Sequence, residues 1–347
     1  MFNTNVIAID IAKSSFHVCN LNKNNKITTN RSFTRTKLKD WLIRQPASVV
    51  AIEACGSAHY WSRFVVKLGH TYMLIPPKYV TPFRKGHKTD KNDALAIAVA
   101  AKQPEIKTVS LKSIEQQGLQ SIERMREHHS DAMTATSNML RGLVYEFGHV
   151  IPKGYSRLKS DIPDILEDAE NELPHAFRDQ LHAMFQFFLT IEAALISVEK
   201  KLAELIKQQS ICIALMALEG IGPVNALGLT LALGNNGESF KNGREASACI
   251  GMTPKQFSTG GVVTLGGIGK RRGNNKLRST LFQGAMSIVK LLKNRPPRNC
   301  KERWLASIIE RRGAKKAAVA LANKNIRTAW AMVKYSKAYE APASLMA

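Results

Sequence analysis

Cysteine is sparse in this chain and never paired. The five residues Cys19, Cys55, Cys212, Cys249 and Cys300 lie far apart, odd in number and without a CxxC spacing. That excludes a disulfide framework or a zinc site and points to a reducing cytoplasm. No apolar run approaches the roughly 18 residues of a membrane span, and Met1–Val6 lacks a charged-then-apolar signal segment, so no membrane partner is expected. With 13 Pro and 22 Gly against a hydrophobic fraction of 44%, the chain is neither disordered nor fibrous. Its 347 residues suggest two or three domains.

Acids are outnumbered. Fifty Lys and Arg face 27 Asp and Glu, a formal charge of +23. The excess is uneven: residues 260–347 hold 19 basic and 3 acidic residues, whereas 150–209 hold 7 and 10. A tail section at +16 is more than solubility requires, and polyphosphate is the usual partner of such a surface. The basic residues are interleaved with Gly and Asn rather than set on one amphipathic helix, which disfavours a membrane surface.

Periodicity divides the chain into three styles. Asn5–Asp10 and Ser48–Glu53 read as apolar, buried strands that each end in a carboxylate. Ser15–Leu21 and Lys26–Phe33 alternate as strands around the turn-forming Asn22–Asn25. His59–Leu68 is helical, Tyr72–Ile75 is a short strand stopped by Pro76-Pro77, and Asp90–Lys102 is a helix with Thr89 as N-cap. This order predicts a mixed sheet with flanking helices. From Ser113 to Phe147, and then from Leu181 to Leu205, apolar residues recur at three and four. The second run is a coiled-coil seam, which leaves antiparallel pairing with 113–147 and self-association both open.

Beyond residue 210, helices flank Gly220-Ile-Gly222 in a helix–hairpin–helix-like pattern, whose glycines would let backbone amides approach a phosphate. Ala246–Ile250 reads as a short helix and Phe257–Lys270 as a Gly-rich loop. Asn275–Leu292, Arg298–Glu310 and Lys315–Lys334 read as further helices. Trp304 and Trp330 fall in helical apolar spacing and read as core rather than base-stacking platforms.

Four acids stand out: Asp10, Glu53, Asp90 and Asp93. Two end buried-type strands, and two sit at i and i+3 of a helix start and share a face. Converging carboxylates repel unless a cation lies between them, and hard divalent ions take such oxygen ligands. A pair of such ions roughly 3.5–4 Å apart would clamp a scissile phosphate. Each acid alone has a structural explanation as a strand end or a first-turn helix acid. Their conjunction, with Lys88, Lys91 and His87 around the last pair, suits a site approached by a polyanion.

Asp10-Ile-Ala-Lys13, Ile52-Glu-Ala-Cys-Gly56, Lys88-Thr-Asp-Lys-Asn-Asp-Ala94, Glu219-Gly-Ile-Gly-Pro223, Gly251-Met-Thr-Pro254, Ser258-Thr-Gly-Gly261 and Lys270-Arg-Arg-Gly-Asn274 occur in that order. Together they resemble the DEDD transposases of bacterial insertion sequences, the family numbered one hundred and ten. The Ser-Thr-Gly-Gly form is similar to its eleven-eleven subgroup, and the Piv invertases are similar relatives. The resemblance implies an α/β plus all-α protein with a RuvC-like, ribonuclease H-type domain over 1–150 bearing Asp10, Glu53, Asp90 and Asp93 as a Mg²⁺-binding tetrad. A coiled-coil dimerising segment over 151–210 and a basic, helical transposase domain over 211–347 with a nucleophilic serine would follow. It further implies donor and target DNA as substrates, an element-encoded guide RNA, a homodimer or tetramer, and a cytoplasmic, nucleoid-associated protein.

A serine hydroxyl needs a base or metal to remove its proton. No histidine lies in 211–347, which excludes a local Ser–His pair; the acid–metal site of the N-terminal domain could supply that activation, giving a composite site. In many relatives the serine directly precedes the glycine, a position held here by Thr259. Ser258 is the choice by residue type, with Thr259 as the register alternative. Lys270, Arg271, Arg272, Lys276 and Arg278 are expected on phosphate, with Arg295, Arg298, Arg311, Arg312, Lys315 and Lys316 extending that surface. The alternative activity is a RuvC-like nuclease or junction resolvase acting by hydrolysis alone. A sugar- or acetate-kinase-type phosphotransferase is disfavoured by the missing glycine after Asp10 and by the basic tail. A non-catalytic RNA-binding protein would leave the four acids unexplained.

Overall fold

The computed structural model describes residues 4–234, 236–268 and 273–340. Its first unit is a five-stranded mixed sheet in the order β3-β2-β1-β4-β5. The strands are β1 (Val6–Ile11), β2 (Ser15–Leu21), β3 (Ile27–Thr34), β4 (Val49–Glu53) and β5 (Thr71–Ile75). β1 pairs antiparallel with β2 and parallel with β4, which pairs parallel with β5. This arrangement is consistent with the ribonuclease H-like domain expected.

Alternation along the central strands assigns each face a cover. Ile7, Ile9, Val50 and Ile52 pack on α1 (Arg35–Ile43) and α2 (Ala58–Lys67) through Leu38, Leu42, Trp61 and Val65. Val6, Ala8 and Ala51 point the other way. Beyond the four-residue α3 (Pro77–Val80), α4 (Asp90–Ala101) covers that second face with Ala94, Ile97, Ala98 and Ala101. Small residues on both sides bring α4 close to the sheet.

The middle of the chain is an antiparallel helical pair. α5 (Ile114–Tyr145) starts with a capping box, Ser113 Oγ accepting from Gln116 N–H while Gln116 Oε1 accepts from Ser113 N–H. It packs along α7 (His175–Lys207), with α6 (Tyr155–Glu167) closing the cluster of Leu140, Val144, Leu158, Phe188 and Ile191. The 181–205 seam therefore finds its partner within the chain. By length and composition α7 could cross a membrane, which departs from the sequence expectation. Leu181, Phe185, Phe188 and Ile191 of this helix are buried in the cluster with α5 and α6, and Leu202 and Ile206 in the C-terminal core.

The C-terminal unit gathers α8 (Ser210–Leu215), α9 (Pro223–Leu233), α10 (Gly243–Ile250), α11 (Asn275–Asn294), α12 (Cys300–Arg312) and α13 (Ala314–Tyr335) around one core. Into it is inserted a hairpin of β6 (Pro254–Thr259) and β7 (Val262–Ile268). The Gly-rich loop expected over 257–270 is thus mostly strand. Gly260 and Gly261, with φ of 56° and 81°, form the two-residue turn, and β-branched Thr259, Val262 and Val263 flank it. Segment 107–110 stitches this unit to the sheet: Val109 N–H donates to Leu74 O, Lys107 pairs with Glu245, and the Ser110 and Ser239 hydroxyls lie 2.6 Å apart.

Candidate active site

Parallel register carries two of the acids to one place. Ile9 lies opposite Ile52 on neighbouring strands, so Asp10 and Glu53, one residue further on, emerge side by side on adjacent strands roughly 4.8 Å apart. Both continue the side-chain phase of Ala8 and Ala51, the face covered by α4. Asp90 and Asp93 occupy the first turn of α4, where the helix dipole favours carboxylates. Thr89 caps that turn by accepting from Asn92 N–H at 3.3 Å, and Asn92 Nδ2 donates to His87 O at 2.8 Å, which fixes the incoming loop. The structure therefore brings the four predicted acids to one rim of the sheet.

Electrostatics register the crowding. The Asp10 carboxyl is pushed up to about 6, by burial first and then by the charges of Asp93, Asp90 and Glu53. Burial and Asp93 also raise Glu53, while Lys88 and Arg84 pull it back. Arg84 Nη1 lies 3.2 Å from Asp93 Oδ1 and partly compensates the set. Arg84 was missed in the sequence; its only signal was a basic residue closely upstream of the Asp pair. Among the described residues no three Asp, Glu, His or Cys side chains converge tightly enough to hold an ion as they lie. The donor chemistry nonetheless fits a hard divalent cation: four mutually repelling carboxyls, one of them, Asp93, already paired with a guanidinium.

The hydroxyl candidates lie elsewhere. Ser258 pairs with Val263 and Thr259 with Val262, so their side chains emerge on opposite faces of the hairpin, and both are exposed. The hairpin makes no extended contact with β1, β4 or α4. Within one chain the structure does not bring Ser258 to the acids.

Of the predicted phosphate contacts, Lys88 and Lys91 are exposed beside the acid pair, and Arg311 and Arg312 are exposed in the last turn of α12. Lys276 is ion-paired with Asp131 of α5 at 2.6 Å, and Arg278 donates to Asn275 Oδ1 at 2.7 Å. Lys270, Arg271 and Arg272 lie outside the described residues. Arg295 departs from expectation: its guanidinium is held by both carboxylate oxygens of Glu302 at 2.7 Å, which makes it part of the framework.

The glycine turn packs closely against α11. A Cβ on Gly220, at φ 77°, would stand 2.5 Å from the Gly284 carbonyl oxygen of α11. The first glycine thus admits a neighbouring helix, while Gly222 faces open space. The turn is tied down by a network the sequence did not reveal. Lys301 Nζ, nearly fully buried, donates to Glu219, to Asn325 Oδ1 at 2.9 Å and to Tyr339 Oη at 3.2 Å, while Asn325 Nδ2 donates to Glu219 O at 2.7 Å.

Residues 7–148, which contain all four acids, match a DEDD transposase family. Residues 212–299, which contain the hairpin, match the "Transposase IS116/IS110/IS902 family". The chain is 36% identical over 338 residues to a "Probable family 20 transposase" of Pseudomonas aeruginosa, covering 97% of this chain and 99% of that protein. It is 33% identical over 339 residues to the "Transposase for insertion sequence element IS1111A" of Coxiella burnetii (98% and 92%), and 31% over 332 residues to that for IS1328 of Yersinia enterocolitica (95% and 97%). These matches, over the unit that carries the acid rim and over the basic helical unit, define the class: a DNA transposase. The chain belongs to the IS110 family of insertion-sequence transposases.

Proposed function

We propose that this transposase cuts and rejoins DNA strands using Asp10, Glu53, Asp90 and Asp93 together with Ser258. The observation that carries the reading is the gathering of four carboxyls on one rim, with Asp10 raised to about 6 by burial and by the other three. The four would hold Mg²⁺, which when bound polarises the scissile phosphate and stabilises charge on the leaving oxygen. Ser258 Oγ attacks phosphorus, its proton passing to a carboxylate of the acid set. The P–O3′ bond breaks, the 3′ oxygen takes up a proton, and a 5′-phosphoserine bond remains. A 3′ hydroxyl from another strand then attacks the phosphoserine and restores the serine without net hydrolysis.

The exposed hairpin has to reach an acid rim with which it makes no extended contact within its own chain, so the site is read as composite. Domains of 1–150, 151–210 and 211–347 serve as catalytic, dimerising and transposase parts, with the helix-hairpin-helix-like element in the last. α5 and α7 leave Met125, Met139, Leu143, Phe187 and Ile196 exposed, an apolar surface suited to a homodimer or tetramer. Donor and target DNA, an element-encoded guide RNA and a nucleoid-associated cytoplasmic setting complete the reading. Strand-transfer assays of Ser258→Ala and Thr259→Ala test it: loss in the first with retention in the second supports Ser258, and the converse moves the role to Thr259.

The separation of hairpin from acids favours one second reading, hydrolysis by the acid site alone as in a RuvC-like nuclease. Free 5′-phosphate ends with no protein attached distinguish it.

A further inference from the structure

A groove of about 1050 Å³ runs across the C-terminal unit and ends at Met252 and Pro254, where β6 begins. Its floor is one face of α13: Lys316, Ala320, Asn323, Lys324 and Arg327 follow at intervals of one to four residues, and alanine keeps the floor low. The start of α10 forms one wall. A Cβ on Gly243 would stand 2.9 Å from Arg327 Cα, so this wall sits directly on α13. Trp304 of α12 forms the other wall. Asn323 Nδ2 donates to Ser247 Oγ at 2.8 Å and to Met252 O at 3.0 Å, which ties the hairpin's root to the groove floor.

Four cations, Arg244, Lys316, Lys324 and Arg327, line this groove with their side chains exposed. Among the described residues none of them is paired with a carboxylate. Lys324 Nζ lies 4.3 Å over the half-buried Trp304 ring. The Trp304 face that Lys324 covers lines the groove, and a flat base can replace the flexible ammonium there, freeing the lysine for a phosphate. Uncompensated cations around one such face suit a strand whose bases are unstacked, since a duplex keeps its bases within the stack.

We propose that this groove holds an unpaired stretch of the DNA strand being exchanged. Arg244, Lys316, Lys324 and Arg327 contact its phosphates, Trp304 stacks one base, and the strand is led toward the hairpin that begins at Pro254. The identity of the strand rests on the reading of Ser258; the groove itself does not.

The test is fluorescence anisotropy of a labelled 12-nucleotide oligothymidine with the full-length protein over a salt series, with folding checked by circular dichroism. Replacing both Lys316→Ser and Lys324→Ser should make the slope of log affinity against log salt shallower by about 1.4, at about 0.7 per lost single-strand phosphate contact. Trp304→Leu should weaken binding roughly tenfold while leaving that slope unchanged. If Trp304→Leu does not fold, the lysine pair and quenching of tryptophan emission by the oligonucleotide carry the test. An unchanged slope and affinity would overturn the proposal, as would tighter binding of an oligouridine through the same residues, or displacement of the single strand by duplex DNA. Ser258→Ala should bind as wild type does. Groove binding with no covalent DNA in the wild-type protein would remove the serine reading and leave the groove standing.

Discussion

Arg84 reaches over Asp93, its Nη1 3.2 Å from the carboxylate oxygen, and is the one arginine or lysine ion-paired with the acid set among the described residues. It partly neutralises a rim on which four carboxyls otherwise repel. Arg84→Ala should therefore bind Mg²⁺ or Mn²⁺ several-fold more tightly in calorimetric titration. Its metal-free stability should fall by up to about 1 kcal/mol, the usual worth of a partly exposed pair. Unchanged divalent affinity would mean that Arg84 does not compete for the site.

Asp10 gives a pH-dependent prediction with a definite sign. Its folded carboxyl, at about 6, lies above the ordinary 3.8. Ionisation therefore costs the folded state nothing below about pH 4, increasingly through 4–6, and fully above 6. Metal-free Asp10→Asn should melt higher than wild type at pH 7.5, by about 1 kcal/mol or ~2–4 °C, and the gap should close toward pH 4. Mg²⁺ should raise the melting temperature of wild type and not of the variant. A variant no more stable at pH 7.5 would mean that the acids are not crowded.

Gly220 and Gly222 should behave differently although one residue separates them. Gly220→Ala meets the Gly284 carbonyl at 2.5 Å and a φ of 77°, so a loss of about 2–4 kcal/mol is expected in denaturant melts. Gly222 faces open space and its alanine variant should fold normally. A stable Gly220→Ala protein that no longer bound DNA would contradict the packing account and favour a phosphate-contacting role for this turn.

Composite assembly predicts complementation between subunits. Asp10→Ala and Ser258→Ala proteins, each inactive alone, should recover strand transfer when co-expressed, because one supplies the acids and the other the hairpin. Failure to recover would place both groups in every active subunit or in one chain.

Much of the frame could be read without coordinates. The runs Val6–Ile9 and Val49–Ile52 are apolar on consecutive residues because both faces of those strands are covered, and each acid follows where the cover ends. Thr89 was legible as a cap, since capping is local chemistry. The 181–205 seam was legible, though not that its partner was α5. α1 escaped notice because only Leu38 and Leu42 are buried along it. The hairpin escaped because glycines at 260–261 looked like a loop, although the β-branched residues beside them carried a strand signal. Arg295 read as basic surface, and Lys301 was not singled out. Glu302 lies seven residues from the first, and Glu219 lies 82 residues from the second, so the lysine's burial depends on tertiary contacts that spacing cannot show.

The account stands most directly on the chemical linkage between protein and DNA. Wild-type protein incubated with donor and target DNA, the element-encoded guide RNA and Mg²⁺, digested and analysed by mass spectrometry, should yield a peptide from the β6–β7 hairpin with a 5′-phosphonucleotide on Ser258. The adduct should be absent from Asp10→Ala and Ser258→Ala. Cleaved DNA with free 5′-phosphates and an unmodified hairpin peptide would contradict it.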